Sequence, residues 1–245
     1  MITLSFNIKS PLCSFGTQTN TSYRPTSRFP TKSAIIGLLC NAWGHDYYSK
    51  VKEDLCFPSE LSNSLLIATI QKNNNPDVFV DYQNAKMLGS CGGKLQPQSD
   101  QVWKHYLVNS EFDIFIEGND KLIRILKRCL IHPNRPLYLG RKACPAEITN
   151  IGINDMDIAQ IIRENITRIK GSFTIYADRV LGSKITEHLS EINENNFSAK
   201  TQDLCLNGAV PISFKPRQYA TWYYSKITCS FERKKHTHYS LSLLM

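Results

Sequence analysis

An α+β fold is predicted, built on an antiparallel sheet of ferredoxin-like, RRM-like order, with a hairpin inserted in its middle and additional strands towards the C-terminus. Three observations carry this expectation. Ile2, Leu4, Phe6 and Ile8 alternate with polar residues, which makes an opening strand with one buried face. Apolar side chains then recur at helical spacing across residues 31–43. Further alternating segments and a second amphipathic helix follow, so the order reads β-α-β-β, then strand, helix and returning strands.

The opening strand is expected to end at Ser10-Pro11. Residues 13–30, rich in Ser, Thr, Gly and Pro, read as a long loop, a kind of segment that tends to carry function. Thr31 is a good N-cap for the helix, because its hydroxyl can accept a bond from a first-turn N–H. Ile35, Ile36, Leu38, Leu39, Ala42 and Trp43 form its apolar stripe, and Gly44 is its stop. The positive end of this helix sits beside Arg28, Thr31, Lys32 and Ser33, a ready site for a phosphate. Residues 45–57 are polar and read as helical, with a turn at Pro58.

Leu65 to Ile70 fits a buried strand, and KNNNPD at 72–77 a turn. Val78, Val80 and Tyr82 alternate as another strand, Gly89–Lys94 is a glycine-rich tip, and Trp103, Tyr106 and Val108 return. Together, about 78–108 reads as a protruding hairpin arm. Phe112, Ile114 and Ile116 alternate as a strand. Asn119 or Asp120 caps a helix with Leu122, Ile125, Leu126, Cys129 and Leu130 on its apolar face, and Lys121, Arg124, Lys127 and Arg128 on a solvated one. His132-Pro133 ends it. In the segment from Arg135 to Pro145, Gly140 would let backbone approach a ligand closely, Arg141 could fork onto phosphate, and Tyr138 could stack on a base. Residues 154–169 read as a helix capped by Asn154 or Asp155, while 171–209 gives no clear pattern. From Val210 the pattern is strand again, with Lys215 and Arg217 interleaved with Phe214, Tyr219, Trp222, Tyr223 and Tyr224, cations for backbone and flat rings for bases.

Composition agrees with a polyanionic partner. The chain has 245 residues and 42% hydrophobic content, enough for a folded core, and 29 Lys+Arg against 21 Asp+Glu give a net charge of +8. Cations concentrate in residues 1–50 and 210–245, which predicts a basic face built from the two ends of the chain. The eight cysteines are scattered and show no zinc spacing, so they read as reduced thiols of a cytoplasmic protein with no metal or other cofactor. No apolar run approaches membrane length.

Three blocks resemble the CasD-type subunits of type I-E CRISPR Cascade complexes, members of the RAMP superfamily. They are Arg24-Pro25-Thr26…Arg28-Phe29-Pro30-Thr31-Lys32-Ser33 running into Gly37-Leu38-Leu39; Trp103…Tyr106-Leu107; and Pro136-Leu137-Tyr138-Leu139-Gly140-Arg141-Lys142…Cys144-Pro145. A fourth, Pro216-Arg217-Gln218-Tyr219-Ala220, fits more weakly, and Thr221-Trp222-Tyr223 stands where the family usually carries a further arginine. The resemblance spans about residues 2–225. It implies a single RAMP-type domain over 1–230, with a thumb at about 78–108, C-terminal strands at about 210–229 and a basic tail at 231–245.

The resemblance also implies a non-catalytic subunit that grips the 5′ handle of the CRISPR RNA, caps the backbone-subunit filament, lies beside the large subunit and reaches target DNA only through the guide. Matched positions assign the grip to Arg24, Arg28, Thr31, Lys32, Ser33, Tyr138, Gly140, Arg141, Lys142 and Arg217, and the thumb and partner contacts to Met87, Leu88, Lys94 and Trp103. The alternative is a metal-independent endoribonuclease for precursor CRISPR RNA, with His105 as general acid or base and Lys104 stabilising the phosphorane.

Overall fold

The computed structural model describes residues 2–16, 22–45, 50–52, 55–72, 76–85, 100–166, 173–190, 197–211 and 219–231. In chain order its elements are β1 (Ile2–Cys13), β2 (Phe15–Gly16), β3 (Tyr23–Arg24), β4 (Thr26–Ser27), α1 (Lys32–Trp43), β5 (Lys50–Lys52), β6 (Leu55–Cys56), α2 (Phe57–Ser64), β7 (Leu66–Gln71), β8 (Val78–Ala85), β9 (Asp100–Gly118), α3 (Asp120–Ile131), β10 (Glu147–Asn154), α4 (Ile158–Ile166), β11 (Phe173–Asp178), α5 (Arg179–Ser190), β12 (Phe197–Pro211) and β13 (Tyr219–Phe231).

β1 lies between β9 and β10 and is antiparallel to both, while β7 pairs antiparallel with the other side of β9. Helices α1 and α2 lie in the connection from β1 to β7, and α3 in the connection from β9 to β10. Two β-α-β units are therefore interleaved, each with a strand of the other running between its own two. The sheet continues beyond them, in the order β10-β1-β9-β7-β11-β13-β12. Pleating divides the core between its faces. Ile114 and Ile116 of β9 join Leu4, Phe6 and Ile8 of β1 against α1 and α3. Phe115, with Ala68, Ile70, Phe173, Ile175 and Ala177, packs on the opposite face against α4 and α5.

Local chemistry sets the helix ends. The Thr31 hydroxyl accepts a bond from the Ala34 N–H at 3.4 Å, and Gly44 closes α1 at φ +87° with its N–H donating to the carbonyls of Cys40 and Asn41. Asn119 caps α3 by accepting from the Lys121 N–H at 3.0 Å. The outer face of α3 is solvated, as its spacing suggests, with an exposed Arg124–Asp120 pair at 2.9 Å.

Several expectations need correction. β1 does not stop at Ser10-Pro11 but runs to Cys13. Pro11 is tolerated because β10 pairs with β1 only as far as Lys9, so the missing N–H lies beyond the shared ladder. Pro58 opens a helix rather than a turn: it sits in the first turn of α2, where a missing N–H costs nothing. The helix expected over 154–169 is α4, which begins later. Asp157 caps it by accepting from the Gln160 N–H at 2.8 Å, and Asn154 ends β10. The unassigned stretch 171–209 contains β11, α5 and most of β12.

One buried ion pair joins the two halves of the sheet. Lys32, in the first turn of α1, is 7% exposed. Its ammonium donates to Asp178 Oδ2 of β11 at 2.7 Å and to the Leu65 carbonyl at 2.8 Å, and the same carboxylate oxygen accepts from the Ile67 N–H at 3.1 Å. Burial pushes the Asp178 carboxyl above its ordinary range, and the Lys32 charge and these hydrogen bonds oppose that. Alongside, Phe29 stacks on Tyr176 of β11, with ring centroids 3.8 Å apart and 7° between planes. Breaking a buried pair from one side strands a charge, so Lys32→Met should destabilise the fold by about 3–5 kcal/mol in urea unfolding. Adding Asp178→Leu should recover part of that loss. Equal stability of Lys32→Met and the parent would show that the pair does not hold the halves together.

Candidate nucleic-acid interface

The residues around the start of α1 converge with the loop after α3 on one open cleft of about 1030 Å³. One wall is α1 itself, through Thr31, Ser33, Ala34, Gly37, Leu38 and Asn41. The other is the segment carrying Arg135, Pro136, Tyr138, Gly140, Arg141 and Lys142. Arg24, Pro25, Ser14 and His45 also line it. Among the described residues the lining holds three arginines, a lysine and a histidine and no carboxylate. With the positive end of α1 at one end, the cleft is built for an anion.

Hydrogen bonds to backbone carbonyls hold the second wall in place. The Asn134 N–H donates to the Ala42 carbonyl at 2.9 Å, the Asn134 side chain to the Trp43 carbonyl at 2.7 Å, and Arg135 to the Gly44 carbonyl at 3.1 Å, so the chain leaving α3 is strapped to the end of α1. Further on, the Leu139 N–H donates to the Cys144 carbonyl and the Cys144 N–H to the Arg141 carbonyl, each at 2.9 Å, which closes the loop on itself. The Ser14 N–H bonds the Leu139 carbonyl at 3.3 Å and anchors the loop to the end of β1.

Gly140 has a role the sequence did not suggest. It adopts φ +80°, and a Cβ there would lie 1.7 Å from the Ser14 carbonyl oxygen. The close backbone approach that requires glycine is to the protein's own chain, not to a phosphate.

Arg141 is the most constrained cation of the site. Its guanidinium lies over the Tyr106 ring, 4.6 Å from the centroid, and Nη2 donates to the Arg24 carbonyl at 3.4 Å. Nη1 is sealed from solvent and meets no acceptor among the described residues. Arg24 is held from the other side, because β3 runs parallel to β9 with Arg24 opposite Lys104 and Tyr23 opposite Trp103.

Of the ten residues the sequence assigned to the grip, seven line the cleft: Arg24, Thr31, Ser33, Tyr138, Gly140, Arg141 and Lys142. Two do not. Lys32 turns into the core as the partner of Asp178. Arg28 is exposed outside the lining and donates to the Pro76 carbonyl at 3.4 Å. Arg217 lies outside the described residues. The sequence missed Arg135, His45 and Asn41 as lining residues. Asn41 is on the wall because α1 is apolar on only one side, and its amide donates to the Pro136 carbonyl at 2.5 Å.

The expected arm is partly visible. β8 pairs antiparallel with the first half of β9, from Val78 opposite Leu107 to Ala85 opposite Asp100. Tyr82 and Trp103 meet across it with ring centroids 5.2 Å apart, and both are exposed. Met87, Leu88 and Lys94 lie outside the described residues.

Lys104 and His105 have separate surroundings. As consecutive residues of β9 they point to opposite faces. Lys104 donates to the Gln83 side chain on the arm, whereas the His105 ring packs edge-on against Tyr23 with centroids 4.7 Å apart. Burial pushes the Cys13 thiol up to about 12 and also raises Cys144, so both stay protonated.

The family model described as CRISPR-associated protein (Cas_Cas5) matches residues 3–196. The chain belongs to that family of CRISPR-associated proteins. A curated relative, the CRISPR system Cascade subunit CasD of Escherichia coli (strain K12), is 24% identical over 157 residues, which cover 58% of this chain and 66% of the relative. The fold is similar to a chain of a CRISPR RNA-guided surveillance complex at TM-score 0.64 and 15% identity, covering 94% of this chain and 90% of that one. It is also similar to a crystal structure of a Cas protein at TM-score 0.59 and 20% identity, covering 92% and 94%.

The loop's geometry makes Gly140→Ala a sharp probe. The added methyl is strained at positive φ and collides with fixed backbone, so the variant should lose about 2 kcal/mol or more in chemical denaturation. A loss below about 0.5 kcal/mol, the scale of an ordinary surface change, would contradict the packing described.

Proposed function

We propose that this protein grips the 5′ handle of a CRISPR RNA and caps the backbone-subunit filament of a Cascade-type surveillance complex, without cleaving the RNA. The observation that carries the reading is the cleft, where arginines from distant parts of the chain meet the positive end of α1 with no carboxylate among the described lining residues. Membership of a CRISPR-associated family and the resemblance of residues 24–39 and 136–145 to handle-binding subunits point the same way. Phosphates would sit between Arg24, Arg141 and Lys142, which line the cleft with no carboxylate beside them among the described residues. Tyr138 offers a ring for a base.

The interleaved β-α-β units then serve as a ferredoxin-like RNA-binding core of the RAMP type, and the β8–β9 arm as the thumb that meets the adjacent backbone subunit. The exposed Tyr82–Trp103 pair suits that contact, since desolvated aromatic rings are effective interface anchors. The large subunit would dock nearby, and target DNA would be reached only through the guide. No described helix is long and apolar enough to cross a membrane, and we place the complex in the cytoplasm.

Binding of a labelled handle RNA should be salt-sensitive, and the RNA should stay intact in EDTA. Arg24→Ala and Arg141→Ala should each weaken binding about ten-fold and lower the slope of log K against log salt by about 0.7, the value for one phosphate of a single strand. Lys32→Met, where it remains folded, should leave that slope unchanged. Unaltered slopes in both arginine variants, or a discrete cut in the RNA, would overturn the reading.

A further inference from the structure

Helix α1 presents bare backbone to the middle of the cleft. A Cβ built on Gly37 would meet nothing within 4 Å, so the space above it is open. The neighbouring wall positions, Ser33, Ala34 and Asn41, are short, while the bulk of the helix, Ile35, Ile36 and Leu39, is turned into the core. Glycine within a helix is less stable than alanine by about 0.5–1 kcal/mol. Neither a positive φ nor a close neighbour demands it here, in contrast to Gly140.

The chemistry of the cleft changes along the helix. Arg135 and His45 stand at its C-terminal end, where Arg135 bonds the Gly44 carbonyl, and Arg24 and Arg141, joined through the Arg24 carbonyl, form with Lys142 a second cationic group of the lining. Between them the lining is uncharged: Ala34, Gly37 and Leu38 on the helix, Pro136 and Tyr138 opposite. A phosphate has no charged partner in that middle stretch. A flat aromatic ring does find a surface there, on about 12 Å of helix between Ser33 and Asn41, at the 1.5 Å rise per residue of an α-helix. Single-stranded RNA is recognised through bases splayed out of the stack in this way.

We propose that the wall at Gly37 is a subsite for an unstacked nucleobase, which lies against the α1 backbone and faces Tyr138, while the phosphates on either side are held by the two cationic groups of the cleft. The proposal rests on the reading of the cleft as an RNA site and adds that one base is extruded there and that Gly37 makes the room. Gly37 is thus a size gate for the RNA strand.

The test uses the full-length chain and a handle RNA in which a single abasic residue is walked through each position. In the parent protein one position should stand out, its abasic form binding about ten-fold more weakly, the scale of one base–aromatic stack. Gly37→Ala should raise the unfolding midpoint, because the added methyl meets nothing. Gly37→Leu should fill the subsite, weaken intact handle binding about ten-fold, and make the special abasic position indistinguishable from its neighbours. Parent-like binding by Gly37→Leu overturns the proposal. So does a flat abasic scan in a parent protein that binds the intact handle, and that result, which needs no variant to fold, leaves the cationic grip standing. Failure of the parent to bind the handle at all overturns both.

Discussion

The buried contact between Lys32 and Asp178 is the constraint on which the rest of this architecture depends. The N-terminal half of the sheet carries α1, and the C-terminal half brings β11 to its edge. Lys32 is the first residue of α1, so its ammonium, reaching Asp178 and the Leu65 carbonyl, fixes the helix start against the seam where the halves meet. The N-terminus of α1 is also one end of the cleft. One charge is thus withdrawn from the ligand surface to hold that surface in position. A buried pair is a costly way to gain stability, because two charges leave water, but it specifies geometry, since only one arrangement satisfies the ammonium, the carboxylate and the Ile67 N–H together.

The cleft is the product of three distant parts of the chain. The loop after β1 brings Arg24, α1 brings a dipole and a smooth wall, and the segment after α3 brings Tyr138, Arg141 and Lys142. The third part is pinned by main-chain and side-chain bonds that end on backbone carbonyls. Arg135 and Asn134 strap the third part to the end of α1, and Ser14 anchors it to β1. Cations held this way are preorganised, so little of the binding free energy is spent on ordering them.

What the sequence made legible was local. Thr31 and Gly44 mark the ends of α1 because capping is decided within a turn, and the alternation in β1 and in residues 112–116 is undisturbed. β10 escaped notice because Asn150, at φ +56°, places an extra residue opposite β1 and breaks the period-two pattern of Ile148, Ile151 and Ile153. β9 read as two segments because polar Asn109, Ser110 and Glu111 separate Val108 from Phe112, although its register against β1 is unbroken. Three of the cations lining the cleft, Arg24, Arg141 and Lys142, were visible near helix and loop signals. The fate of Lys32 was not, because its partner is 146 residues away in sequence. Arg135 and His45 were equally obscure, since only the strap from α3 to α1 brings them together.

β9 serves two purposes along its 19 residues. Its second half is a central strand of the sheet, pairing β1 and β7, and its first half is one side of the arm. Between these it touches the cleft: Tyr106 lies under Arg141, and Lys104 runs beside Arg24. The arm and the anion site therefore share a single beam. A load applied to the arm would be carried past both arginines before it reached the core, so bending the arm and changing the spacing of Arg24 and Arg141 would be one mechanical event.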